Sequence, residues 1–152
     1  MSLQQYKKKR NLKISKQPEA KIETKKSHKK LIFVIHFHRA SHDHYDLRLE
    51  VDGVLKSWAV TKEPPKEKNI KRLAIQVEDH PLAYAKFKGK IPEGNYGAGI
   101  VKIWDKGSYK LIDKKNKKIR IELKGKKLKG RYVLIKTNYG NKPGKSWLFF
   151  KV

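Results

Sequence analysis

The stretch LIFVIHFHRASHDHYDLRLEV, Leu31 to Val51, alternates in polarity on both sides of a polar break. Successive side chains on a β-strand point to opposite faces. Read as a strand, Leu31–His38 sends Phe33, Ile35 and Phe37 to one face and Ile32, Val34, His36 and His38 to the other. Tyr45–Val51 repeats the pattern. Tyr45, Leu47, Leu49 and Val51 share an apolar face, and His44, Asp46, Arg48 and Glu50 share the opposite one. The short segment Arg39–Asp43 predicts a hairpin between the two strands. Hairpin partners present matching faces, so the polar faces merge into one patch of His36, His38, His44, Asp46 and Arg48. A solvated loop has no need of such phase agreement.

Outward from this hairpin the alternation continues. Strand-like runs are expected at Val54–Val60, Leu73–Glu78, Ile100–Trp104, Ser108–Ile112, Lys118–Leu123, Tyr132–Thr137 and Trp147–Val152. Turn residues separate many of them: Asp52-Gly53, Lys106-Gly107, Gly125, Gly130 and Gly140-Asn141. No segment is long and periodic enough for a full helix, although a short helical turn fits Pro81–Lys86. Many short strands in one chain predict an all-β, mainly antiparallel fold, a small closed or nearly closed β-barrel or else a sandwich, with at most short helical turns. The 152 residues suit one domain over 31–152. Residues 1–30 are different: eleven Lys or Arg stand against two Glu, with no sustained apolar period. They read as a basic N-terminal arm.

The chain carries 39 basic and 14 acidic residues, a formal net charge of +25. Self-repulsion on this scale works against a compact state. A polyanionic partner, nucleic acid above all, fits it, and adaptation to heat or salt or mere solubility is the alternative. There is no cysteine, which excludes disulfides and thiolate-based zinc sites. No apolar run reaches the roughly 20 residues of a membrane span, and no signal peptide is recognisable. A cytoplasmic location with no membrane partner is expected.

The polar patch has the chemistry of a metal site. Imidazoles and a carboxylate without thiolate suit Mn²⁺, Zn²⁺, Fe²⁺ or Co²⁺, and three protein ligands leave positions open for substrate. His36, His38, His42 and His44 are all candidate ligands. Arg48 shares the face of Asp46, where its fork suits bidentate contact with a phosphate. If Lys71–His80 is extended, Arg72, Glu78 and His80 share a face, Arg72 as a second phosphate clamp and His80 as a proton donor or phosphate contact. The glycine-rich IPEGNYGAG, Ile91–Gly99, fits close backbone approach to a phosphate or a bulged turn, and lacks the pattern of a nucleotide-binding phosphate loop. Trp58, Trp104 and Trp147 lie in apolar runs and are expected in the core.

Several separated segments, taken in order, carry a resemblance. FHRASHDHYDLRLEVDGVLKSWAVTKEPP, RLAIQVEDHPLAYAKFKGKIPEGNYGAG, VKIWDKGSY and the final SWLFFK resemble the 3′-phosphoesterase domain of bacterial ligase D, an end-joining DNA repair enzyme, and its stand-alone archaeal homologues. The resemblance implies a compact β-barrel that trims 3′ ends of DNA or of a primer–template. It removes a terminal ribonucleoside as a phosphodiesterase, then the 3′-phosphate as a phosphomonoesterase, with Mn²⁺ the expected metal. It places the metal ligands at His38, His44 and Asp46. Phosphate-binding arginines fall at Arg48 and Arg72, and phosphate-handling residues at His80 and Tyr84. Arg10 and Glu19 match functional positions in the arm, which would then pack over the active site.

Two departures stand out. His36 occupies a place where the family often has a phosphate-contacting Gln, so it is expected to contact phosphate or add a fourth ligand. Asn11 replaces a frequent Asp. A DNA ligase or polymerase of end joining is expected to act in trans. Two other readings compete: a non-catalytic basic nucleic-acid-binding module, for which the histidine patch is irrelevant, and a metal barrel acting on small molecules.

Overall fold

The computed structural model describes residues 30–94, 98–139 and 142–152. Among them are nine strands: β1 Leu31–Arg39, β2 His44–Val51, β3 Val54–Val60, β4 Lys71–Pro81, β5 Gly89–Ile91, β6 Gly99–Lys115, β7 Lys118–Lys124, β8 Lys129–Lys136 and β9 Ser146–Lys151. The one helical element among these residues is the 3-10 turn Leu82–Lys86. Hydrogen bonding runs in the order β1-β2-β3-β4-β9-β8-β7-β6, and β6 pairs back onto β1. All of these pairings are antiparallel, so eight strands close a barrel and remove the open edges. The short β5 adds to β6 outside that ring. No helix among the described residues is long and apolar enough to cross a membrane.

The predicted hairpin forms in the predicted phase. Phe33, Ile35, Leu47 and Leu49 point inward with Trp58, Tyr132, Trp147 and Phe149 to fill the barrel. At the next turn Asp52 and Gly53 have φ of 51° and 82°. That is the left-handed pair a two-residue hairpin turn demands. It fixes the β2–β3 register from Val51↔Val54 back to Tyr45↔Val60. Trp58 and Trp147 are core residues, as expected. Trp104 is only partly buried, with Lys127 Nζ 4.5 Å above its ring.

The Lys106-Gly107 turn does not exist. β6 runs unbroken through it for 17 residues. It pairs with β1 over Ile100–Tyr109 and with β7 over Ser108–Lys115, so Gly107 lies where one strand changes partners. A Cβ on Gly107 would collide with the backbone carbonyl of Lys124. The glycine serves close strand approach rather than reversal.

Beside it, Asp105 is buried. Its carboxylate accepts the backbone N–H groups of Lys106 at 2.9 Å, Lys126 at 2.9 Å, Lys127 at 3.2 Å and Leu128 at 2.8 Å. It therefore holds the β7–β8 turn against β6. Asp105→Asn puts an amide donor against these N–H groups. The expected loss is about 2–4 kcal/mol of stability, read as a lower urea midpoint at unchanged slope.

A second, smaller core lies outside the barrel wall. Val34 and Leu55 project outward and are covered by Tyr84 and Ala85 of the 3-10 turn, with Phe87 and Ile103 packed around them. This cover turns an outer wall into the floor of a cleft.

Candidate active site

His38 of β1 and His44, Asp46 and Arg48 of β2 line that floor. His38 faces His44 and His36 faces Asp46 in the strand register. His44 Nε2 is 3.3 Å from Asp46 Oδ2, and His38 Nδ1 is 3.9 Å from the same oxygen. One ligand atom from each of His38, His44 and Asp46 lies within 4.8 Å of the others. His44 Nδ1 is 3.0 Å from the carbonyl oxygen of His42, and donating to it leaves Nε2 as the ligand atom. Two imidazole nitrogens and a carboxylate oxygen at this spacing fit a divalent transition metal. His42 is exposed and contributes that carbonyl to the orientation of His44.

Burial opposes the charge of Asp46, but Arg48 and then the hydrogen bond and charge of His44 outweigh it. The carboxyl is held down at about 2. Burial likewise pulls the His44 imidazole down, and Asp46 more than reverses this, so its pKa is raised. His36 is driven the other way, first by burial and then by the Arg48 charge, to about 3. It is a neutral ring throughout the physiological range.

Arg48 is the hub. Its Nε donates to His36 Nδ1 at 3.1 Å, Nη1 to Ser57 Oγ at 2.8 Å, and Nη2 to Asp46 Oδ2 at 3.3 Å. Nη1 also lies 3.1 Å from His80 Nδ1, and the guanidinium carbon sits 4.9 Å from the centre of the Tyr84 ring. These contacts take up most of its five N–H groups. Protein atoms thus engage each nitrogen of the fork that is expected to grip a phosphate.

His80 and Tyr84 reach the cleft, with ring centres 4.7 Å apart. Arg72 does not line it. The expected shared face of Arg72 and His80 fails because β3–β4 pairing slips between Leu55↔His80 and Ser57↔Val77. A bulge of one residue flips every side chain beyond it. Arg72 pairs with core-facing Phe149, and its Nε donates to the Glu63 carbonyl at 2.8 Å. In IPEGNYGAG, Ile91 lines the cleft and Gly99 passes against the Arg39 backbone. Residues 95–97 of this stretch, and Arg10 and Glu19 with the whole arm to residue 29, lie outside the described residues.

Two further residues belong to the site without a role assigned to them from the sequence. Ser57 is fully buried, and its hydroxyl accepts from Arg48 while donating to the Leu55 carbonyl at 3.1 Å. The two-residue turn at Asp52-Gly53 sets Ser57 opposite Arg48 and was signal enough to find it. Glu78 is buried and lines the cleft, brought there by the bulge. Nothing in the alternation marks that bulge.

Residues 36–136 match the family described as the DNA ligase D 3′-phosphoesterase domain. The multifunctional non-homologous end joining protein LigD of Pseudomonas aeruginosa is 44% identical over 154 residues, covering 98% of this chain and 18% of that protein. The multifunctional non-homologous end joining DNA repair protein LigD of Mycobacterium tuberculosis is 49% identical over 120 residues, covering 76% of this chain and 15% of that protein. The LigD protein of Mycolicibacterium smegmatis is 46% identical over 127 residues, 76% of this chain and 16% of its own length. The chain thus spans less than a fifth of each of these relatives. Barrel, cleft and sequence agree on one assignment: the chain belongs to the DNA ligase D 3′-phosphoesterase domain family.

Proposed function

We propose that this protein is a metal-dependent 3′-end-processing phosphoesterase of DNA repair. It removes a 3′-terminal ribonucleoside and then the remaining 3′-phosphate. The observation that carries the reading is the convergence of His38, His44 and Asp46 in one cleft with Arg48 and His80. A bound divalent ion, Mn²⁺ by the resemblance and Zn²⁺ or Co²⁺ by the same donor chemistry, would polarise the phosphate held at these three ligands.

The protein groups divide the remaining work. Arg48 places fixed positive charge where negative charge builds on the phosphoryl oxygens, the dominant contribution to such transfers. Its outer nitrogen, Nη2, lies on the Asp46 side and is the atom nearest the ligand set. In the first step water adds to phosphorus, and the bond to the 5′-oxygen of the terminal ribonucleoside breaks. In the second step the bond to the strand's own 3′-oxygen breaks. Each leaving oxygen needs a proton. His80 Nδ1 lies 3.0 Å from the Glu78 carbonyl. Arg48 Nη1 lies 3.1 Å from the same nitrogen, and the ring is assigned the delivery of the proton to the leaving oxygen. Tyr84 packs against both His80 and Arg48 and fixes their relative placement. Arg10 and Glu19 of the basic arm are assigned to substrate handling on the resemblance, and the lysines to sequence-independent backbone contact. The product, a 3′-OH, suits a polymerase or ligase of end joining.

The test is a labelled primer–template ending in one ribonucleotide, incubated with Mn²⁺ or with EDTA. The expected result is loss of one nucleoside, then loss of phosphate, with metal only. Binding without any metal-dependent shortening would leave a non-catalytic nucleic-acid-binding module.

A further inference from the structure

We infer that His36 and Ser57 are positioning residues that lock the Arg48 guanidinium from two neighbouring strands. His36 thus acts through Arg48 and touches neither metal nor phosphate. The inference rests on the phosphoesterase reading for its kinetic consequences and on geometry for its substance.

Both ring nitrogens of His36 are engaged. Nδ1 faces Arg48 Nε at 3.1 Å, and Nε2 faces the Phe87 carbonyl at 3.0 Å. A guanidinium nitrogen only donates and a carbonyl only accepts. The two contacts together therefore require one tautomer, bare at Nδ1 and protonated at Nε2. The ring is fully buried, with its edge against Tyr84 at 5.4 Å between centres, so no ring nitrogen is presented to a ligand. Ser57 completes the grip from β3, its hydroxyl accepting from Nη1 while its proton goes to the Leu55 carbonyl. With Nε and Nη1 both anchored, the planar guanidinium cannot rotate, and Nη2 is held beside Asp46. The Phe87 carbonyl extends the chain of contacts to the segment between the 3-10 turn and β5, tying the cover of the cleft to its floor.

Gln at position 36 can offer an oxygen to Arg48 and an amide N–H to Phe87, whereas Leu can offer neither. His36→Leu and Ser57→Ala are each expected to lower kcat about 10-fold or more, the scale for residues that orient a site's first contacts, with Mn²⁺ affinity and KM within about twofold. His36→Gln is expected to restore most of the lost rate. In an Arg48→Met background neither His36→Leu nor Ser57→Ala should lower the residual rate further, since coupled residues are non-additive.

Loss of Mn²⁺ affinity in His36→Leu would make His36 a metal ligand and overturn the inference. A rise in KM alone would make it a phosphate contact, and full additivity with Arg48→Met would make it independent of Arg48; either result overturns the inference too. Ser57→Ala covers the case in which His36→Leu fails to fold. An arm independent of activity is ¹⁵N NMR of the His36 ring in the whole chain. A neutral ring protonated at Nε2 upholds the inference even if no 3′ end is cleaved with any metal, a result that would defeat the proposed function alone. A ring protonated at Nδ1, or a charged one, overturns the inference.

Discussion

Asp46→Asn is expected to abolish Mn²⁺-dependent processing of 3′ ends, lowering the rate by more than about 10³-fold, since a metal supplies several kcal/mol of charge stabilisation. The substitution keeps size and shape and removes only the anionic oxygen shared by His38 and His44. Titration calorimetry should show Mn²⁺ binding lost with the activity. Retained activity would place the metal elsewhere. The same substitution has a second readout in EDTA, free of metal and substrate. The Asp46 carboxyl is depressed from 3.8 to about 2. A depressed carboxyl stabilises the fold where it is ionised in both states. Its contribution is complete above about pH 4 and disappears as the pH falls through about 2. Its size is about 2 kcal/mol at neutral pH. Asp46→Asn should therefore be less stable than wild type at pH 7 by about that amount, and the two should converge in acid.

The share of this site that was legible in the sequence follows from how strands carry information. Alternation fixes a face, and the Leu31–Val51 hairpin keeps one register throughout its β1–β2 pairing, so His38 meets His44 and His36 meets Asp46 as the phase required. The barrel class was legible for the same reason, helped by the Asp52-Gly53 turn. What failed lies where period two breaks. Gly107 looked like a reversal because glycine is equally suited to a turn and to close strand approach, and only the presence of Lys124 opposite distinguishes them. The bulge in β3–β4 carries no residue that announces it, so Arg72 was placed with His80 although the two belong to opposite faces. Hydrogen-bond partners were least legible of all. Arg48 reads as a phosphate fork beside Asp46 from its neighbours in sequence. The partners that hold it come also from β1, β3 and β4, which no local pattern announces.

This enclosure of Arg48 decides the outcome of Arg48→Lys, which keeps the charge and is expected nonetheless to cost about 10²- to 10³-fold in kcat, the loss typical of removing one donor aimed at developing charge. An ammonium is a point charge on a flexible stem with three donors and no plane. It cannot reach His36 Nδ1, Ser57 Oγ and Asp46 Oδ2 at once, which the guanidinium does at 3.1, 2.8 and 3.3 Å. At least one of these acceptors is then left buried without its partner, at about 1–3 kcal/mol each. Stability should fall with activity, whereas Mn²⁺ affinity should change far less than in Asp46→Asn, since the three ligands remain. If Arg48 served only as diffuse positive charge, Lys would retain most of the rate. A lysine variant within about threefold of wild-type kcat, read under saturating substrate and metal, would show that the geometry around Arg48 is irrelevant to the transfer and that net charge alone is what the reaction uses.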